Sequence, residues 1–168
     1  AGDLLDLVVH WLPADRRLTV LGDGEYACST VVQRLPRDVT FVGPVCKDAA
    51  LYAQPNHVPG KRGRKPIRGD RLPTPSALAS DETHPWVPLT AKIYGRQVKL
   101  LTKTIRCLWY TVAKGRLVTV VLTRDPRRLL EDRVFFSTDA ASEPAEVLES
   151  YARRWELEVC FRAIKQTM

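Results

Sequence analysis

The chain has 168 residues, 26 Lys and Arg against 19 Asp and Glu, a formal net charge of +7 and 45% hydrophobic residues. That length suits one domain with a real core, and the basic surplus favours a polyanionic partner, of which nucleic acid is the commonest. No apolar run approaches the roughly 18 to 20 residues of a bilayer span, and the first residues lack the pattern of a secretory signal, so no membrane association and a cytoplasmic location are expected. Cys28, Cys46, Cys107 and Cys160 are 18, 61 and 53 positions apart, which matches neither a clustered zinc spacing nor a dense disulfide framework, and they read as reduced thiols. His10, His57 and His84 are as scattered, so a metal would have to be held by carboxylates.

In chain order, Leu4, Leu5, Val8, Val9 and Leu12 fall at helical spacing and predict an opening helix stopped by Pro13. Arg17 to Gly22 is a short β-branched and apolar run that breaks at Gly22-Asp23-Gly24, which places Asp23 at the carboxyl end of a buried strand. A helix is predicted from Glu25 to Leu35, ended by Pro36, and a second strand from Val39 to Val45, completing a βαβ unit. Between Gln54 and Pro75 the composition cannot build a core and predicts a mobile loop. Lys61, Arg62, Arg64, Lys65, Arg68 and Arg71 against Asp70 give it most of the net charge. Lys92 to Tyr110 and Leu117 to Thr123, with turns at Gly95 and Lys114-Gly115, predict a small antiparallel insertion closed by Asp125-Pro126. Val134 to Thr138 is a further strand. Ser142 is placed to cap a long final helix opening at Glu143-Pro144.

At about 100° per residue, Tyr151, Arg154, Glu158, Arg162 and Lys165 share one stripe of that last helix, flanked by Leu148, Ala152, Trp155 and Val159 on one side and Phe161 on the other. A stripe bordered by apolar groups suits a half-buried cleft, where a carboxylate among cations stays ionised and available to a metal or a phosphate-bearing partner. The same spacing also fits a ladder of surface ion pairs between Arg154, Glu158 and Arg162. Asp23 likewise has two readings: a turn former or cap before a helix, or an acid at a strand end, where open α/β sheets bind ligands.

Tyr151-x2-Arg154-x3-Glu158-x6-Lys165, within Ala-Arg-Arg-Trp-Glu-Leu-Glu, resembles the Tyr-Arg-Glu-Lys signature of bacterial insertion-sequence transposases with an acidic DDE site. The Phe-Ser-Thr-Asp run at 136–139, Leu-Gly-Asp-Gly-Glu-Tyr around Asp23 and the basic loop ending in Arg71-Leu72-Pro73 resemble the family as well, so the likeness covers nearly the whole chain. It implies an α/β fold with a ribonuclease H-like, retroviral integrase-type core. Residues 1–52 would be the part of the core with the second acid, 53–130 the basic loop and a β-rich insertion, and 131–168 the last core strand and catalytic helix. Asp23 and Glu158, 135 positions apart, would be catalytic metal ligands for Mg²⁺, with Mn²⁺ as a substitute, in DNA strand cleavage and strand transfer. Tyr151, Arg154, Arg162 and Lys165 would hold phosphates, with Lys61, Arg62, Arg64 and Lys65 on the DNA backbone.

Double-stranded DNA, as transposon ends and as target, would be the partner, with a homodimer on DNA and nucleoid association. Only 22 residues precede Asp23, too few for the strand that carries the family's first acid, so the chain is expected to be the C-terminal part of a catalytic domain, incomplete at its N-terminus. A catalytically incomplete DNA-binding remnant is the alternative, and a structure-specific nuclease on the same core a third reading. Trp86, Trp109 and Tyr110 are candidates for stacking on a flipped base or for plain core packing.

Overall fold

Six strands form one curled sheet in the computed structural model, which describes residues 2–13, 15–56, 63–129 and 131–154. β1 (Thr19–Leu21) pairs in parallel with β2 (Thr40–Pro44), and β6 (Arg133–Ser137) returns antiparallel beside β2. β5 (Leu117–Arg124) lies against β6, β4 (Arg96–Leu108) against β5, and β3 (Val87–Ile93) forms a hairpin with β4. The antiparallel strands expected as an insertion therefore continue the same sheet. β5 is buried on both faces, which is why Leu117 to Thr123 reads as an unbroken apolar run in the sequence.

One face carries the larger core, in which Phe41, Val118, Val120 and Phe136 are fully buried. The ring centroids of Phe41 and Phe136 are 5.6 Å apart, and Trp109 meets Phe136 edge-on at 5.1 Å. α1 (Gly2–Trp11) rests on this core through Leu5 and Val9, while Leu4, from the same apolar stripe, faces solvent. The opposite face carries a second cluster of Val42, Val121 and Phe135 with Val147 and Leu148 of α5, the helix at 144–154.

Several local expectations need correction. The helix predicted from Glu25 to Leu35 is a turn at Asp23 followed by the single-turn α2 (Ser29–Val32), because the extended backbone at Cys28, φ −129°, ψ 163°, interrupts the run. Ser142 does not cap α5: its Oγ lies 2.9 Å from Ser137 Oγ, and instead Glu146 reaches back to accept from the Glu143 N–H at 3.2 Å. The basic stretch is also less free than its composition suggests. Its returning limb is tied by hydrogen bonds from Gly69 N–H to Ala53 O and from Ala53 N–H to Asp70 O, both 2.9 Å, while Tyr52 pairs with Leu108 of β4.

Two short helices complete the fold. α3 (Pro75–Ser80) is capped by Thr74, and α4 (Tyr110–Ala113) links β4 to β5. Arg116, just after α4, ties distant segments together by donating to the carbonyls of Thr138 at 2.9 Å, Val39 at 2.9 Å and Arg37 at 3.2 Å. Those hydrogen bonds join the start of β5 to the approach to β2 and the end of β6.

Candidate active site

Asp23 follows β1 directly. Gly22 donates its N–H to Val42 O at 3.0 Å, and a methyl group in place of its hydrogen would come within 2.4 Å of the Phe41 ring, so close packing on β2 fixes where Asp23 emerges. The carboxylate is half-buried; Oδ1 accepts from Glu25 N–H at 3.0 Å and Tyr26 N–H at 3.4 Å. Both readings of this residue are thus compatible in one side chain. One oxygen holds the turn, and Oδ2 accepts no hydrogen bond from the described residues.

α5 starts beside Thr40 and Asp139, at the end of the sheet where β2 begins. Its last described residues, Tyr151 and Arg154, line a cavity of about 600 Å³ with Thr123, Asp125 and Arg133, where β5 ends and β6 begins. Strand pairing puts that end on the same side as the carboxyl ends of β1 and β2, and so as Asp23. The Tyr151 ring is held 4.7 Å from that of Phe135, and the Arg154 guanidinium lies 5.4 Å from the Tyr151 ring centroid. Buried Leu148 and Ala152 border this wall, the apolar flank that the helical periodicity predicts.

Glu158, Arg162 and Lys165 lie outside the described residues, as do Lys61 and Arg62. Arg64 and Lys65 are exposed. They follow the anchored Tyr52 segment, beyond β4, whereas Asp23 follows β1 at the other edge of the sheet.

The three aromatic candidates are all engaged. Trp109 is buried against Phe136. Trp86 lies between Arg124, 4.0 Å from its ring centroid, and Lys103 at 4.9 Å, and Arg68 approaches Tyr110 at 5.6 Å. Sequence reasoning missed Phe135, which seats Tyr151, and Ile93 and Tyr94, which close the cavity from the β3–β4 hairpin. The turn at Gly95 was the available signal, but a turn does not tell which face a hairpin bends toward.

Among the described residues no group of three His, Cys, Asp or Glu side chains could hold a metal. Asp23 alone offers a hard oxygen ligand with one lone-pair face open, which fits a divalent cation as a single ligand. Cys28, Cys46 and Cys107 are free thiols, and burial pushes the Cys107 thiol up to about 12, so it is inert packing rather than a ligand. No described helix is long and apolar enough to cross a membrane.

No curated protein and no solved structure matches the chain. The family model described as Transposase DDE domain matches residues 1–168, the whole length of the chain. The chain belongs to the transposase DDE domain family.

Proposed function

We propose that this protein cuts and joins DNA at the ends of a mobile element, with Asp23 and Glu158 as the carboxylates that hold Mg²⁺, or Mn²⁺ in its place. DNA transposition follows from family membership. The observation that carries the assignment of residues is the direction of α5, which leads Tyr151 and Arg154 to the end of the sheet where Asp23 emerges. A bound divalent ion would supply activation of the attacking hydroxyl and charge neutralisation at the phosphodiester.

The chain's own residues would do the rest. Asp23, with Oδ1 fixed by its turn, presents Oδ2 without rotating. Arg154 offers a planar fork for two phosphate oxygens, and Tyr151, seated on Phe135, sets the height of the strand above the cavity. Arg162 and Lys165 would add to this grip, and Lys61, Arg62, Arg64 and Lys65 would bind the DNA backbone, on transposon ends or target DNA and with a homodimer as the working unit. A ribonuclease H-like core at 1–52 and 131–168 with 53–130 inserted belongs to the same proposal, supported by the parallel β1–β2 pair with β6 beside it.

The test is cleavage of a duplex carrying the ends of the element that encodes the protein. Asp23→Asn and Glu158→Gln should each abolish Mg²⁺-dependent strand cleavage while leaving DNA binding largely intact. Strong residual cleavage in either variant would remove that carboxylate from the metal site.

A further inference from the structure

From Thr83 to Arg124 the chain carries eight Lys and Arg and no Asp or Glu. Three of these cations are spent on the fold. Lys103 donates to the carbonyls of Leu78 and Asp81, Arg116 to those of Thr138 and Val39, and Arg124 pairs with Asp132. Lys92, Arg96 and Lys99, on the β3–β4 hairpin, are exposed and form no ion pair among the described residues.

The hairpin has a definite pose. Its pairing with β4 continues from Leu101, which faces the last residue of β5, out to Ile93 and Arg96, joined by a two-residue turn with positive φ at both Tyr94 (50°) and Gly95 (75°). Those angles are the type I′ geometry that matches strand twist. Beyond β5 the ribbon bends over α5: Leu89, Ala91, Ile93 and Leu100 pack in the same cluster as Val147, Leu148 and Tyr151, and Lys92 N–H donates to Glu149 Oε1 at 2.8 Å. Thr90 is directly opposite Lys99 and Lys92 opposite Gln97, so these four share the other, solvent-facing side, whereas Arg96, opposite Ile93, belongs to the inner side at the hairpin tip. Lys92 and Lys99 thus put two like charges on adjacent rungs of the outer face.

We infer that this outer face of the β3–β4 hairpin is a phosphate-backbone contact for duplex DNA, a clamp over the helix that bears Tyr151 and Arg154. The inference rests on the DNA-processing reading above but adds a surface outside the metal and motif residues. Because the inner face is packed on α5, the ribbon cannot enter a groove edge-on. It touches the sugar-phosphate backbone and reads no sequence.

The experiment measures duplex affinity across a salt series for the protein, for Lys92→Gln/Lys99→Gln, and for a charge-matched control, Arg37→Gln/Lys114→Gln, at the opposite end of the sheet. The hairpin variant should bind about fivefold or more weakly, equally on element-end and unrelated duplexes, with the slope of log affinity against log salt reduced by about one to two. The control should lose clearly less, and unfolding midpoints should match because both hairpin positions are exposed.

An unchanged slope in the hairpin variant would overturn the clamp while leaving the transposase reading intact. If that variant also self-associates, the lysines act only as guards of a free strand edge. Equal losses in both double variants would reduce the effect to net charge and overturn it too. Failure of the unaltered protein to bind any duplex would overturn both readings together.

Discussion

Tyr151 on α5 and Phe135 on β6 meet at a tilt of 46° with ring centroids 4.7 Å apart, so Tyr151 is at once a core contact and a wall of the candidate site. Truncation should therefore do two things that a conservative change separates. Tyr151→Ala should lower stability by about 1–3 kcal/mol through lost ring packing, whereas Tyr151→Phe should keep the unfolding midpoint and weaken DNA binding alone. Urea unfolding alongside a binding titration checks this. Equal binding by the phenylalanine variant would show that the hydroxyl makes no contact with DNA.

Arg124 grips Asp132 through Nε, 2.9 and 3.0 Å from the two carboxylate oxygens, and through Nη2. These hydrogen bonds hold the Asp132 carboxyl below the usual range, against the opposing pull of partial burial. A carboxyl with a depressed folded pKa contributes stability that is present above its unfolded value, near 3.9, and is lost as pH falls through the folded value. Asp132→Asn should cost about 1–3 kcal/mol at neutral pH. It should also flatten the loss of stability below about pH 4. A variant with the same acid limb as the parent would exclude the pair as its source.

Lys103 is only 3% exposed, and its ammonium donates to Leu78 O at 2.8 Å and Asp81 O at 2.6 Å, closing the C-terminal end of α3. Lys103→Met keeps the stem's packing but strands two carbonyls. A loss of about 1–3 kcal/mol is expected, with faster hydrogen exchange confined to 75–81. Unchanged exchange there would mean that water replaces the ammonium freely.

Gly22→Ala would drive a methyl into Phe41, 2.4 Å away, and push the start of the Asp23 turn off β2. Destabilisation of about 1–3 kcal/mol is expected, and Mg²⁺-dependent cleavage should fall further than the folded fraction does. Cleavage that simply tracks the folded fraction would show that the position of Asp23 tolerates the shift.

Neutralising Lys61, Arg62, Arg64 and Lys65 together should lower duplex affinity and flatten its salt dependence, with no change in melting temperature. The stability half of this expectation comes from Arg64 and Lys65, which are exposed. An unchanged salt slope would make the loop a spectator and leave the hairpin as the main backbone contact.

Much of the secondary structure was legible because its signals are local. Pro13 and the Gly-Asp-Gly break mark ends that the structure keeps within a residue or two, and the β5 run reads as buried because both of its faces are covered. The misreadings are also instructive. Glu25 to Leu35 has helical composition, yet the backbone is extended at Cys28, so only Ser29–Val32 is helical. Ser142 is a good cap residue by type, but a neighbouring hydroxyl on β6 claims it.

By itself the sequence determined where most of the strands and the last helix begin, where the cations concentrate, and the spacing of Tyr151, Arg154, Glu158 and Lys165, since periodicity and charge are properties of neighbouring residues. Only the tertiary structure decided that β5 joins β6, that α5 runs toward the Asp23 end of the sheet, and that the basic hairpin folds over that helix. Those outcomes depend on which apolar faces find each other across the chain and on how far a twisted ribbon must bend to bury its inner side. Neither quantity is written in the spacing of residues along one strand.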